Sequence, residues 1–360
     1  VSSDRPGSAA LGSDRLRVVV AAPLSADNAE LLTRLEPRIE LVHRPELVHE
    51  MRWPADFSPA PGFARSPEQQ AELDALIDGA DALYGIPDVD PAALARAVAA
   101  NPRLRWVHTM AAGGGGQVKA AGLDADQLAR VAFSTSAGVH GGPLAEFAVF
   151  GVLAGAKSLP RLLQQQRAHD WSGRWLMGQI SAQRVLVAGL GGIGAVVAKK
   201  LAALDVEVIG LSRRPERPEG VASIVHPDDL LEVMPTIDAL VTTLPGTAAT
   251  EGLLNAEVLA AARPGLTLVS VGRGTVIDEP ALIEALRSGQ VGFAALDVAA
   301  VEPLATDSPL WDLPNALISP HTAGLDADED RRIAELFARN ATRLLDGEEL
   351  INRVDTVEFY

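Results

Sequence analysis

Val185-Leu186-Val187-Ala188-Gly189-Leu190-Gly191-Gly192-Ile193-Gly194 decides how this chain folds. The first four residues are apolar and read as a buried strand, and Ala195 to Leu204 reads as the helix that follows. A strand, G-x-G-x-x-G and a helix, in that order, form the fingerprint of a dinucleotide-binding βα unit. Each glycine has a physical task. Gly189 permits the tight turn, Gly191 lets the backbone approach a pyrophosphate, and Gly194 lets the helix pack against the strand. Gly192 and Ile193 complete the turn, and the unpaired N–H groups at the start of the helix suit an anion.

The next strand, Val206 to Leu211, leads into Ser212-Arg213-Arg214. An acidic residue there would accept from the 2′-hydroxyl of NAD, whereas a hydroxyl and two guanidiniums suit a 2′-phosphate. The expected cofactor is therefore NADP(H), with NAD(H) as the alternative.

Outward from this unit, the chain has 360 residues, 31 basic and 47 acidic side chains, a net charge of −16 and no cysteine. That length suggests two domains, each with its own core. Without cysteine there is no disulfide scaffold, thiolate zinc site or cysteine nucleophile, and no metal site is expected. An acidic surface repels phosphate backbones, so nucleic acid is not an expected partner. The longest apolar run, Phe147 to Ala156, falls short of the roughly 20 residues of a membrane span. The polar N-terminus lacks the apolar centre of a secretory signal, and the expected location is the cytoplasm. Residues 1–14 read as a leader without fixed structure.

Strands and helices alternate through the rest. Leu16 to Ala21, Ala82 to Tyr84 and Arg105 to Thr109 read as strands; Asp27 to Leu35, Pro67 to Asp78 and Pro91 to Ala100 read as helices. Met51 to Pro67 reads as a long loop rich in proline and aromatics. An apolar helix, Leu144 to Leu159, and a loop with Trp171 and Trp175 precede the fingerprint. Six or so βα units then run to Ile318, and an amphipathic helix, Asp328 to Leu345, closes the chain. The pattern predicts an α/β protein with parallel sheets.

Three ionisable residues sit at the ends of predicted strands: Arg273 in Leu268–Gly274, Glu302 in Ala295–Leu304 and His321 in Leu317–Gly324. Groups at the carboxyl ends of strands in an open α/β sheet share one ligand crevice, so the three can converge. With these residues, and with Ser308-Pro309-Leu310-Trp311, Leu313-Pro314-Asn315 and Ser319-Pro320-His321, the sequence resembles the D-isomer-specific 2-hydroxyacid dehydrogenases from about Leu16 to Asp355.

The resemblance implies that His321 exchanges a proton with the substrate oxygen, that Glu302 orients it and stabilises the imidazolium, and that Arg273 pairs with the substrate carboxylate. It adds Leu244, Pro245, Val271, Gly272 and Asp297 to the cofactor contacts. It makes Ala112, Gly113 and Gly114 a substrate loop whose N–H groups receive the carboxylate. The family usually has an apolar residue and an aspartate where this chain has Gly114 and Gly115, a difference expected to widen the pocket for bulkier 2-keto acids. Two doubly wound parallel-sheet domains are implied: a Rossmann cofactor domain, 140–323, inserted in a flavodoxin-like substrate domain, 15–139 with 324–360. The implied activity is an NADP(H)-dependent 2-keto acid reductase of the glyoxylate/hydroxypyruvate type, acting on a small 2-keto or 2-hydroxy acid as a homodimer. The helix Leu144 to Leu159 and the tryptophan arm would form its interface. Two alternatives stand beside it: a phosphoglycerate-type NAD-dependent dehydrogenase, which would want extra cations such as Arg44, Arg52 and Arg65, and a catalytically silent dinucleotide-sensing co-repressor.

Overall fold

The structure, a computed structural model, describes residues 15–171 and 173–359, and the expectation for 1–14 lies outside them. The chain divides into two units, one running to Val139 and resuming at Asp326, the other being His140–Leu325.

Unit one begins with β1 (Leu16–Val20), α1 (Ala26–Leu35), β2 (Ile39–Val42), α2 (Pro67–Asp78), β3 (Ala82–Tyr84) and α3 (Pro91–Ala100). It continues with β4 (Trp106–Thr109), α4 (Gly115–Ala120), α5 (Ala125–Arg130) and β5 (Ala132–Thr135). Unit two holds α6 (Gly141–Ala156), α7 (Leu159–Arg167), β6 (Arg184–Ala188), α8 (Gly192–Ala202), β7 (Glu207–Leu211), β8 (Ser223–Val225) and α9 (Leu230–Val233). Then come β9 (Ala239–Thr242), α10 (Ala256–Ala261), β10 (Leu266–Ser270), α11 (Glu279–Ser288), β11 (Val291–Leu296) and β12 (Ala316–Ile318). The last helix, α12 (Glu329–Leu345), returns to unit one.

Both sheets are parallel throughout. Unit one is ordered β2-β1-β3-β4-β5, the flavodoxin-like arrangement. Unit two is ordered β12-β11-β10-β9-β6-β7-β8, which is the doubly wound dinucleotide-binding order with one extra strand. Parallel strands buried on both faces need continuous apolar sequence, and Val185, Leu186, Val187 and Ala188 of β6 are each fully buried. α12 lays Ile333, Leu336 and Phe337 into the unit-one core, and its Thr342 hydroxyl donates to the buried Glu36 carboxylate at 2.7 Å. The Arg38 guanidinium, also bonded to Glu36, is the main cause holding that carboxyl down at about 2.

Some elements differ from expectation. β2, β5, α4 and α5 are too short for their period to stand out in sequence. The apolar helix expected over Leu144 to Leu159 starts at Gly141 and stops at Ala156. Ser158 takes a left-handed conformation (φ 51°), and α7, with a proline in its first turn, leaves at 67°. α6 is chiefly a core helix. A Cβ on Gly151 would lie 2.7 Å from Val269, and one on Gly155 would lie 2.1 Å from the Thr267 hydroxyl. No single helix among the described residues is long and apolar enough to cross a membrane.

Under the β4 and β5 ends of unit one lies a fully buried polar relay. The Trp106 indole N–H donates to Ser134 Oγ (2.8 Å), leaving the one hydroxyl proton of Ser134 for His108 Nδ1 (2.8 Å). The Ser136 hydroxyl gives its own proton to the Thr109 carbonyl (3.5 Å), so its oxygen accepts from His108 Nε2–H (3.1 Å) and the ring is the neutral Nε2–H tautomer. Burial without a carboxylate pushes its pKa from 6.5 down to about 3. The folded value lies below the unfolded one, so this stability is complete above about pH 6.5 and is lost as pH falls towards 3. Lowering the pH from 7 to 5 should cost about 2 kcal/mol through this residue alone. Urea unfolding at the two pH values should show wild type losing about that much more than His108→Gln, whose amide can replace both contacts.

Candidate active site

The register of unit two sets the strand ends level. Ile318, Leu296, Ser270, Thr242, Ala188 and Leu211 are successive partners across β12, β11, β10, β9, β6 and β7. Just beyond these ends lie His321, then Asp297 with Glu302, Arg273, Leu244-Pro245, Gly189 and Ser212. All the predicted catalytic and cofactor positions thus fall on one edge of one sheet.

His321 Nδ1 and Glu302 Oε2 are 2.7 Å apart. A carboxylate can only accept, so the Nδ1 proton is held there. Nε2, the other ring nitrogen, has no partner among the described residues, and about half of the side chain is exposed. His321 occupies a left-handed backbone conformation, φ 53°, that a non-glycine residue keeps only when its surroundings enforce it. Here its N–H donates to the Asp297 carbonyl (2.9 Å), and Asp297 Oδ1 receives Ser319 Oγ (2.6 Å) and the N–H groups of Thr322 (3.0 Å) and Ala323 (2.9 Å).

Arg273 stands between two glycines that allow backbone to pack on backbone. A Cβ on Gly272 would lie 2.5 Å from the Leu244 carbonyl oxygen, and one on Gly274 would lie 1.9 Å from that of Ala299. The exposed Arg273 guanidinium donates to the Gly272 carbonyl (2.9 Å) and pairs with no carboxylate among the described residues.

The glycine loop fits a dinucleotide. Gly189 has φ 92°, the side of Gly191 where a Cβ would stand is open space, and a Cβ on Gly194 would strike the Gly189 carbonyl oxygen at 1.9 Å. α8 has no side-chain cap, so its first N–H groups remain available to a phosphate. Asp297 Oδ2 is buried without a hydrogen-bond partner among the described residues, an acceptor suited to a carboxamide N–H. Past β7, Arg213 and Arg214 are exposed and form no ion pair among the described residues.

Ala112, Gly113 and Gly114 follow β4 in unit one. Gly114 does not widen a pocket: a Cβ there would lie 1.7 Å from Thr109 Oγ1, so glycine is required by packing. Gly115 is buried as the first residue of α4. The Gly114 N–H is also spent, donating to the Ala111 carbonyl (3.2 Å), whereas those of Ala112 and Gly113 have no backbone acceptor among the described residues.

Residues 149–323 match the D-isomer specific 2-hydroxyacid dehydrogenase NAD-binding domain. Glyoxylate/hydroxypyruvate reductase B of Pectobacterium atrosepticum is 32% identical over 209 residues, 57% of this chain and 65% of the reductase. D-3-phosphoglycerate dehydrogenase of Mycobacterium leprae is 36% identical over 208 residues, 57% of this chain and 39% of that enzyme. A D-isomer specific 2-hydroxyacid dehydrogenase of Xanthobacter autotrophicus, solved with NADPH and MES, is 29% identical with a TM-score of 0.74. That match covers 96% of this chain and all of the other. The strand-end row is thus that of a dinucleotide-dependent oxidoreductase. This chain belongs to the D-isomer-specific 2-hydroxyacid dehydrogenase family.

One contributor was not singled out in sequence, and another does more than expected. Thr243, one residue before Leu244-Pro245, braces the glycine loop by donating to the Gly189 carbonyl (2.9 Å). Asp297, expected as a cofactor contact, also ties down the His321 loop. Gly194→Ala should weaken dinucleotide binding at least tenfold, on the scale of a displaced anion-binding turn. Quenching of intrinsic tryptophan fluorescence on titration would measure it.

Proposed function

We propose that this chain is a cytoplasmic, NADP(H)-dependent 2-keto acid reductase of the glyoxylate/hydroxypyruvate type. The observation that carries the reading is the 2.7 Å His321–Glu302 pair, with Nε2 unpaired, in one row with an Arg273 that has no carboxylate of its own. When bound, the reduced nicotinamide supplies the hydride. Glu302 keeps the proton on Nδ1 and stabilises the imidazolium, so that Nε2–H donates to the substrate oxygen as it gains negative charge. Arg273 pairs with the substrate carboxylate.

Ser212, Arg213 and Arg214 support NADP(H), because two unpaired guanidiniums in a chain of net charge −16 would otherwise have reason to find acids. Against a phosphorylated substrate stand the pairings of the unit-one cations. Arg44 bonds Glu46 and Glu72, Arg52 bonds Asp56, and Arg65 bonds Asp88. Each guanidinium is therefore already committed to an acid.

A homodimer belongs to the same proposal. Trp171 and Leu176 are 99% and 98% exposed, with Leu162, Leu163 and Phe150 also exposed. Apolar exposure of this kind suits a second copy. Trp175 packs on α7 through Arg161 (4.3 Å) and Gln165 (3.2 Å). Light scattering should report a dimer that Leu176→Glu converts to monomer.

Steady-state kinetics with NADPH and NADH against glyoxylate, hydroxypyruvate, phenylpyruvate and 3-phosphohydroxypyruvate tests the activity. His321→Asn and Arg273→Ala should each lower kcat by about 10²-fold or more with NADPH affinity retained. Arg213→Ala/Arg214→Ala should cut kcat/KM for NADPH about tenfold or more while sparing NADH. Absence of turnover with the unphosphorylated acids would refute the reading.

A further inference from the structure

The Ala299–Ala300 peptide is the point where the Arg273 and Glu302 loops of unit two meet. Its carbonyl lies against Gly274, where no side chain fits. On one side of it the Ala299 N–H donates to Glu302 Oε1 (3.2 Å), while Glu302 Oε2 holds His321. The Ala300 N–H donates to Glu279 Oε2 (3.2 Å).

Glu279 is the first residue of α11, and the usual task of an acid there is already filled. Asp278, the residue before it, caps the helix by accepting from the Ala281 N–H (3.1 Å). Glu279 is half-buried and forms no ion pair among the described residues. Of two adjacent acids at one helix start, one serves the helix and the other reaches across to the loop after β11.

We propose that Glu279 is a positioning residue for the His321–Glu302 pair, acting through the Ala299–Ala300 peptide. By fixing the Ala300 N–H, it sets ψ of Ala299 and so steadies the preceding Val298–Ala299 peptide, whose N–H is aimed at Glu302 Oε1, so that Oε2 is presented to the imidazole in one orientation. Removing the Glu279 acceptor leaves a peptide N–H unpaired and lets that peptide rotate. The Glu302 carboxylate then loses one of its two fixed contacts, and the ring loses its registration. The role rests on the reading of His321 as the proton donor.

Reach and charge can be separated by substitution. Glu279→Gln keeps the length and an acceptor oxygen, whereas Glu279→Asp keeps the charge at the helix start and cannot span the gap. Glu279→Ala and Glu279→Asp should lower kcat about tenfold, with KM for NADPH within about twofold and Glu279→Gln close to wild type. In a Glu302→Gln background, Glu279→Ala should cost less than about twofold more, because the two residues act as one unit. At a pH high enough to keep the ring neutral, the ¹⁵N shifts of His321, assigned with His321→Asn, should show the Nδ1–H tautomer in wild type and Glu279→Gln. Glu279→Ala and Glu279→Asp should show a mixture of tautomers. A wild-type Glu279→Asp beside a defective Glu279→Gln, a fully multiplicative loss with Glu302→Gln, or an unchanged tautomer would each overturn the proposal. The tautomer needs no turnover, so a failed keto-acid panel would sink the reductase reading and still leave Glu279 to be judged.

Discussion

Backbone-on-backbone contact at Gly272 and Gly274 holds the edge of unit two together. Both positions leave no room for a Cβ, because the Leu244 turn closes on one and the Ala299–Ala300 peptide on the other. Arg273 is therefore clamped by its neighbours' lack of side chains, and its own side chain is left free for a ligand. A parallel sheet makes this possible: strands that run level end level, and the loops beyond them must pack against one another. A side chain at Gly274 would push the Arg273 and Glu302 loops apart, and one at Gly272 would push the Arg273 loop off the Leu244 turn.

Charge is distributed unevenly along that edge. In a chain with sixteen more acids than bases, Arg213, Arg214 and Arg273 are left without carboxylate partners among the described residues. The acids of the same region are turned to backbone and imidazole instead: Asp297 to the His321 loop, Glu302 to the ring and Ala299, Glu279 to Ala300. The result is cations available to phosphate and carboxylate groups, with carboxylates used as internal fasteners. In unit one, by contrast, Arg44, Arg52 and Arg65 are each paired with an acid.

Two stretches show how a shared signal divides in three dimensions. The missing side chain at Gly114 suggests a wider pocket, whereas Thr109 occupies the space that side chain would need. The apolar run after Leu144 suggests an interface helix, and its glycines seat one face on β10 while Phe150 stays exposed. In each case glycine and apolar character report close packing as readily as openness, and only the neighbours decide between them. The same holds for Ser308, Leu310 and Asn315 in the stretch of strongest resemblance. Leu310 is core, Ser308 caps its turn, and the Asn315 amide bonds the carbonyls of Leu286 and Val291.

Sequence alone determined the α/β class, the fingerprint at Gly189–Gly194 and the order Arg273, Glu302, His321. It could do so because in a parallel sheet each motif's distance from its strand end already locates it on the crevice edge. Tertiary structure decided what brings segments far apart in the chain within hydrogen-bond reach. It gave Asp297 the loop at 319–323, Glu279 the peptide at 300, Thr243 the turn at 189 and His108 the serines of β5 and its following loop. Those contacts depend on register and on the angles at which helices cross the sheet, and a linear pattern of residue types carries neither.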